Sequence, residues 1–333
     1  FFDIGQLSMS FSKLFFIFVT PYLVIKILSS KEINLNIVDY LIFFFCLWNG
    51  VSILRNHNPS IAVEFTGSIS LTLLGGYLMG RMFLTDKFKF IGTFKFLSLI
   101  ILISLPFSIH EVITSKPIIT TTLSSLGFDT HKDINHDPRM GLWRAQFIFV
   151  HPIHYGLFCA SLFSIIFYGA RKATNATFWF MMSASLAICC FLSLSSGPLL
   201  SLLVQFALIF WALVTRNLEK PWAYFWVLLA ILYVVIEILS DRSGIYAVVE
   251  RMTFNKQNAY VRLVLFEYGI EQIKREPIFG VGYNPWPLPT WMTGSIDNYW
   301  LMAAVLFGLP AFVAIFGAFI ITMLKVGARD FSQ

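Results

Sequence analysis

Long apolar runs alternate with short polar breaks along this 333-residue chain. Nine runs stand out, at 14–30, 37–54, 61–82, 94–110, 147–169, 176–194, 197–215, 222–240 and 298–324. Each is close to the ~20 residues that carry a helix across the hydrocarbon of a bilayer. Helices are the expected form, because a membrane strand barrel is written in short alternating segments. Two longer polar stretches, 111–146 and 241–297, interrupt the runs, and neither reads as a separate domain. The pattern predicts an all-α, polytopic transmembrane helix bundle of about nine spans. It forms one integral membrane domain over 1–333, with two long outer loops, 111–146 and 241–297, that contain short helices.

Composition supports that class. Fifty-seven per cent of the residues are hydrophobic and only 13% charged, against roughly 25% charged in an ordinary soluble domain. The mean hydropathy of +0.73 excludes a disordered or ordinary soluble chain. The net charge of +6 does not imply nucleic acid, because membrane proteins hold Lys and Arg to set their topology. Twelve cationic residues, from Lys26 and Lys31 to Lys325 and Arg329, gather around 31–36, 83–93, 170–175, 216–221 and the C-terminus. Only Lys13 and Arg55 flank the spans on the other side. The first group is therefore cytoplasmic, and both long loops are outside. The chain opens Phe1-Phe2-Asp3 without an initiator Met, so it is expected to be part of a longer protein with at least one preceding span.

Chemistry must come from particular residues. Cys46, Cys159, Cys189 and Cys190 all lie in apolar runs and form no CxxC pattern, so neither a disulfide framework nor a cysteine metal site is implied. Ionisable groups inside spans are few: Glu64 and Glu237 lie near outer span ends, and Lys26 can snorkel. That distribution disfavours an ion-coupled transporter. Across 259–276, a helical wheel puts Glu267, Glu271, Lys274 and Arg275 on one stripe, with Glu271 and Arg275 spaced for an i,i+4 pair. Arg262 falls opposite, near Phe266, Ile270 and Ile273. It points toward the protein body and needs an anionic partner, either an internal carboxylate or a bound substrate.

The first loop ends in Arg139-Met-Gly-Leu-Trp-Arg144 and returns to the membrane through His151-Pro-Ile-His154. Arg144 and both histidines are expected near the outer interface. The histidine spacing permits a metal, but His131, His136 and Asp137 lie in a polar loop without convincing ligand spacing, so hydrogen-bonding roles are the simpler expectation. Gly280-Val-Gly282 reads as a turn whose N–H groups are able to meet a phosphate. Walker A, HExxH, GxGxxG and GxSxG are all missing.

Four pieces in order resemble the bacterial O-antigen ligase and polysaccharide polymerase superfamily. They are Arg139-Met-Gly-Leu-Trp-Arg-Ala with His151-Pro-Ile-His-Tyr-Gly, then Leu194-Ser-Ser-Gly-Pro, then Tyr260-Val-Arg262 through Glu276-Pro-Ile-Phe-Gly-Val-Gly282, then Asp297-Asn298-Tyr-Trp. The resemblance implies a membrane glycosyltransferase of the bacterial inner membrane with its active face outward. Its donor is an undecaprenyl-pyrophosphate-linked glycan and its acceptor a sugar hydroxyl, on a growing chain or a lipid core. Neither a cofactor nor a metal is implied. Expected partners are those substrates, the bilayer and envelope polysaccharide assembly proteins, and not nucleic acid.

On this resemblance Arg262 binds the pyrophosphate. Arg139, Arg144, His151, His154, Gly280, Gly282 and Asn298 are candidate substrate-binding residues. Two positions depart from the family pattern: Ser196 stands where ligases carry Arg, and Asp297 where they carry His before Asn. Arg139 or Arg144 is a candidate for the missing cation. Asp297 is a candidate base, or else a helix N-cap. The alternative class is a transporter or channel for a lipid-linked or envelope glycan, which requires polar groups along a path near mid-membrane.

Overall fold

A computed structural model describes residues 2–4, 7–9, 11–29, 34–128, 130, 137–169, 176–239, 256–292 and 295–327. Among these the regular structure is helical, apart from an isolated bridge between Arg139 and Leu142 and a short antiparallel pair, β1 (Phe2–Ile4) and β2 (Leu7–Met9), registered Phe2 to Met9. The helices are α1 (Phe11–Ser29), α2 (Ile37–Asn56), α3 (Pro59–Phe83), α4 (Lys87–Thr114), α5 (Ile118–Ser125), α6 (Pro152–Gly169), α7 (Ala176–Leu192), α8 (Ser196–Val214), α9 (Pro221–Leu239), α10 (Lys256–Arg275) and α11 (Tyr299–Gly327). Every predicted span is met by a helix. Among the described residues six helices are long and apolar enough to cross a membrane: α2, α3, α4, α8, Pro221–Ile238 of α9 and Tyr299–Val326 of α11. The apolar stretches of α6 and α7 are shorter, at Pro152–Tyr168 and Thr177–Leu192.

Caps, rather than the edges of the apolar runs, set the helix ends. Asn36 starts α2 through a capping box, accepting from Val38 N–H at 2.8 Å while Asp39 accepts from Asn36 N–H at 2.7 Å. Asn58 caps α3, with Pro59 at the first helical position. Asp86 caps α4 by accepting from Lys89 N–H at 2.8 Å, well before the apolar run begins. Lys89 beside it also holds the Asp86 carboxyl below the usual carboxylate range. Phe18, Leu47, Phe88 and Ile238 point outward, and nothing in Pro221–Ile238 is buried. Apolar surface on this scale, on helices of this length, is met by lipid.

The chain forms two compact units, one of residues 1–84 with 257–333, the other of 85–256. In the first, α2 packs on α11 through Ile42, Phe45, Cys46 and Ile53 against Ala303, Phe307, Ala311, Ala314 and Ala318. The small residues of α11 let the two backbones approach closely. At the start of α2, buried Asp39 pairs with Arg81 at 3.2 Å and accepts from Tyr77. In the second unit, α4, α6 and α7 enclose the fully buried Tyr155, whose hydroxyl meets Ser104 and Ser108 at 2.9 and 2.8 Å. A Cβ on Gly156 would run into Ser193 and Pro198, so glycine there lets α6 close on the start of α8.

The last predicted span needs correction. The run 298–324 is not one straight helix, because Gly308 adopts φ 82°, ψ 173° inside α11. The ring of Trp300 lies 5.2 Å from Phe316 and 5.5 Å from Phe319. In an unbroken helix residues 300 and 316 would stand about 24 Å apart along the axis. Residues 299–307 therefore fold back on 309–327. Two features act together: Pro310 has no N–H to give Leu306, and Leu309 gives its N–H to Pro277 O at 2.8 Å instead of Val305.

Candidate functional site

The break in α11 builds the first part of the site. It leaves the carbonyls of Val305 and Leu306 without helical partners, and the turn after α10 takes both. Val281 N–H donates to Val305 O at 3.0 Å and Gly282 N–H to Leu306 O at 2.8 Å. Trp48 donates its indole N–H to Phe307 O at 3.1 Å and stacks on Phe279 at 5.5 Å. A Cβ on Gly308 would collide with Ile278 O, and one on Gly280, at φ 62°, with the carbonyls of Val305 and Leu306. The Pro-x-x-Gly-x-Gly turn is thus a plug for the broken helix. Its N–H groups are committed, Gly280 to Glu276 O at 3.2 Å and Gly282 to α11. This corrects the expectation that Gly280 and Gly282 present free N–H groups to a phosphate.

The turn fixes where α10 ends. The buried stripe of α10 holds Leu265, Gly269 and Gln272, and Gly269 lies against Leu301 of α11. Arg262 borders that stripe but its side chain is 40% exposed, and Phe266 and Ile270, which the wheel set beside it, are exposed. The expected Glu271–Arg275 pair is replaced by Glu271–Lys274 at 2.7 Å, which holds the Glu271 carboxyl below its ordinary value. Next to Arg262 in the helix, Tyr260 stacks on Trp291 with rings 6.1 Å apart and 14° from parallel, tying α10 to the chain segment that approaches α11.

The anionic partner that Arg262 needed is Asp297. Arg262 Nη2 stands 3.6 Å from Asp297 Oδ2, with side-chain exposures of 40% and 63%. That distance is an ion pair without a hydrogen bond, and a half-exposed pair contributes at most about 1 kcal/mol. Asp297 is not the N-cap of α11. Asn298 holds that place: its Oδ1 accepts from Trp300 N–H at 3.0 Å and Leu301 N–H at 3.2 Å, and its carbonyl accepts from Met302 N–H at 2.8 Å. The carboxylate of Asp297 is left to face Arg262. Asn298, expected to bind substrate, has its side-chain oxygen occupied by capping.

Just ahead of Asp297 in the chain, residues within 283–292 and 295–296 line a cavity of about 570 Å³ with Met302 and Leu306 of the first piece of α11. Its wall is anchored at one end by Tyr283 N–H, which donates to His57 Nε2 at 2.8 Å.

In the other unit, Arg139 and Arg144 converge on the connection between α7 and α8. Arg139 Nη1 donates to Leu194 O at 2.8 Å; Arg144 donates to Ser193 O at 3.4 Å and, through Nη2, to Ser195 Oγ at 2.8 Å. Ser195 is the N-cap position of α8 and makes no side-chain cap bond there. Both cations therefore meet the residues just before Ser196. Burial, and then the nearby Arg139, pull the Arg144 guanidinium down to about 10, with Asp137 opposing. It remains cationic at neutral pH. Buried Glu111 pins the returning chain by accepting from Gln146 and Phe147 N–H at 3.2 and 3.0 Å, and Phe147 has φ 55°.

The histidines are placed apart from these cations in role. His151 opens α6, its Nδ1 accepting from Ile153 N–H at 3.1 Å. His154 is exposed, its ring 6.0 Å from that of His151. Among the described residues no three His, Cys, Asp or Glu group as a metal site. His131 and His136 lie outside the described residues. Glu111, His57 and Trp291 were not singled out from the sequence as functional. Their roles depend on distant partners: Tyr260 for Trp291, Gln146, 35 residues away, for Glu111, and Tyr283, 226 residues away, for His57.

Residues 178–316 match the family model described as O-antigen ligase. No curated protein and no solved structure gives a significant match to the chain. The matched segment contains α8, the Arg262 helix, the plug turn, Asp297 and the break in α11. This match supports placing the chain in the O-antigen ligase superfamily.

Proposed function

We propose that this chain is a metal-independent glycosyltransferase of the bacterial inner membrane. It passes glycan from an undecaprenyl-pyrophosphate carrier to a sugar hydroxyl on the outer face, across a bundle of about nine spans. The observation that carries the reading is the loose Arg262–Asp297 pair. A guanidinium is suited to a two-pronged hold on a pyrophosphate. A half-exposed carboxylate at 3.6 Å holds it weakly enough for that anion to replace it.

Exchange would also prepare the second group. When pyrophosphate takes Arg262, the Asp297 carboxylate is released from the pair and takes the proton of the acceptor hydroxyl. The acceptor oxygen then attacks the anomeric carbon, and the bond to pyrophosphate breaks. Its electron pair leaves with the carrier pyrophosphate, whose charge Arg262 balances.

Arg144 fills the role of the cation missing at Ser196. It hydrogen-bonds the preceding residue, Ser195, at the start of α8, where a helix N-terminus adds further attraction for an anion. The test is transfer by Arg262→Lys in native membranes, read as consumption of carrier-linked glycan. Normal accumulation with most transfer lost supports the assignment, and normal transfer contradicts it.

A further inference from the structure

The cavity just ahead of Asp297 is preformed. Tyr283 N–H is held by His57, Asn284 Nδ2 reaches Asn56 O at 3.4 Å, and Met292 N–H closes a turn on Pro289 O at 2.9 Å. Pro285, Pro287 and Pro289 fix alternate φ angles along the wall. At about 570 Å³ it lies within the range of small-molecule sites. Among the described residues, none that line it is charged. The aromatic side chains of Trp286 and Tyr283 line it, with Asn284, Thr290 and Ser295 as polar groups. Burial raises the Tyr283 phenol, so it stays protonated and neutral.

We propose that this cavity binds an uncharged pyranose unit of the acceptor glycan. The argument rests on the transferase reading above and names its acceptor subsite. A pyranose has an apolar C–H face that lies on an indole and hydroxyls that need amide and hydroxyl partners. A pyrophosphate or an acidic sugar would enter a wall with no cation to meet it, at a desolvation cost. An isoprenoid tail would leave the hydroxyls of Thr290 and Ser295 without a hydrogen-bond partner in the cavity. Ser295, in the wall, is two residues from Asp297, which places their Cα atoms within about 7 Å. A sugar held there offers a hydroxyl to that carboxylate.

The test uses the full chain in lipid nanodiscs and saturation-transfer NMR. The probes are methyl glycosides of a hexose, an N-acetylhexosamine and a hexuronic acid. The neutral glycosides should receive saturation at their ring C–H protons, and the hexuronate should bind about tenfold more weakly or not at all. Trp286→Ala should lose the signal. Thr290→Val, which keeps shape and removes one hydroxyl, should weaken binding about fivefold. Arg262→Lys should lose transfer yet keep glycoside binding, which separates this inference from the pyrophosphate assignment. Equal binding by Trp286→Ala and Thr290→Val, preference for the hexuronate, or full displacement of the glycosides by geranyl phosphate would each overturn it.

Discussion

Arg262 and Arg144 carry the same guanidinium in contrasting settings. Arg262 faces a carboxylate across 3.6 Å at a half-exposed site. Arg144 is half-buried, with a carbonyl and a hydroxyl as its hydrogen-bond acceptors. The first pair is neutral, weak and exchangeable. The second arginine is held in place by neutral acceptors, and its charge is lowered in stability by burial and by Arg139. A reacting anion can therefore displace the partner of Arg262 without disturbing a helix. Removing Arg144 releases the connection between α7 and α8 as well as a charge. The contrast predicts that substitutions at the Arg262 pair act on chemistry, whereas those at Arg144 act on chemistry and architecture together.

The largest effect is expected at Asp297. Because Asn298 supplies the cap, Asp297→Asn and Asp297→Ser should accumulate normally and lose about 10²- to 10⁴-fold in transfer, the usual contribution of a general base. Near-normal transfer by either variant leaves Asp297 as a counter-ion alone. Next comes Arg262→Lys, with an expected loss of about tenfold to a hundredfold at unchanged abundance, from the charged hydrogen bonds forfeited. Arg144→Gln should lower both transfer and thermal stability. In that background Ser196→Arg should recover transfer more than stability, since it returns the cation but not the bonds to Ser193 and Ser195. Recovery of stability alone would count against the compensating-cation reading. The smallest effect belongs to chelation: EDTA should leave transfer unchanged, and a loss restored by Mg²⁺ would contradict the metal-independent mechanism.

Much of this was legible in the residue pattern, for reasons that also mark its limits. Apolar runs located the helices because burial in lipid and helix period act over many residues. The same averaging hid the break in α11. Its apolar content continues through Gly308-Leu309-Pro310, and the fold-back depends on Pro277 taking the Leu309 N–H. The wheel set Arg262 apart from the Glu and Lys stripe of α10, but its partner lies 35 residues on, outside α10. Asp297 and Asn298 are both good caps, and only the geometry assigns the cap to Asn298. The N–H groups of Gly280 and Gly282 are not open to a phosphate, because the first closes the end of α10 on Glu276 O and the second serves the broken helix at Leu306 O. The convergence of Arg139 and Arg144 on 193–195 is tertiary and leaves no local trace.

The account stands most directly on the separate roles of the two members of the Arg262–Asp297 pair. The measurement that tests it is transfer by the charge-swapped variant, Arg262→Asp with Asp297→Arg, beside each single variant. The swap restores opposite charges at the same two positions, so the protein should accumulate and melt like the parent. With the pyrophosphate cation and the acceptor base exchanged, transfer should remain as low as in the single variants. Transfer returning to near the parent level would show that only the ion pair matters, and would contradict the proposed site.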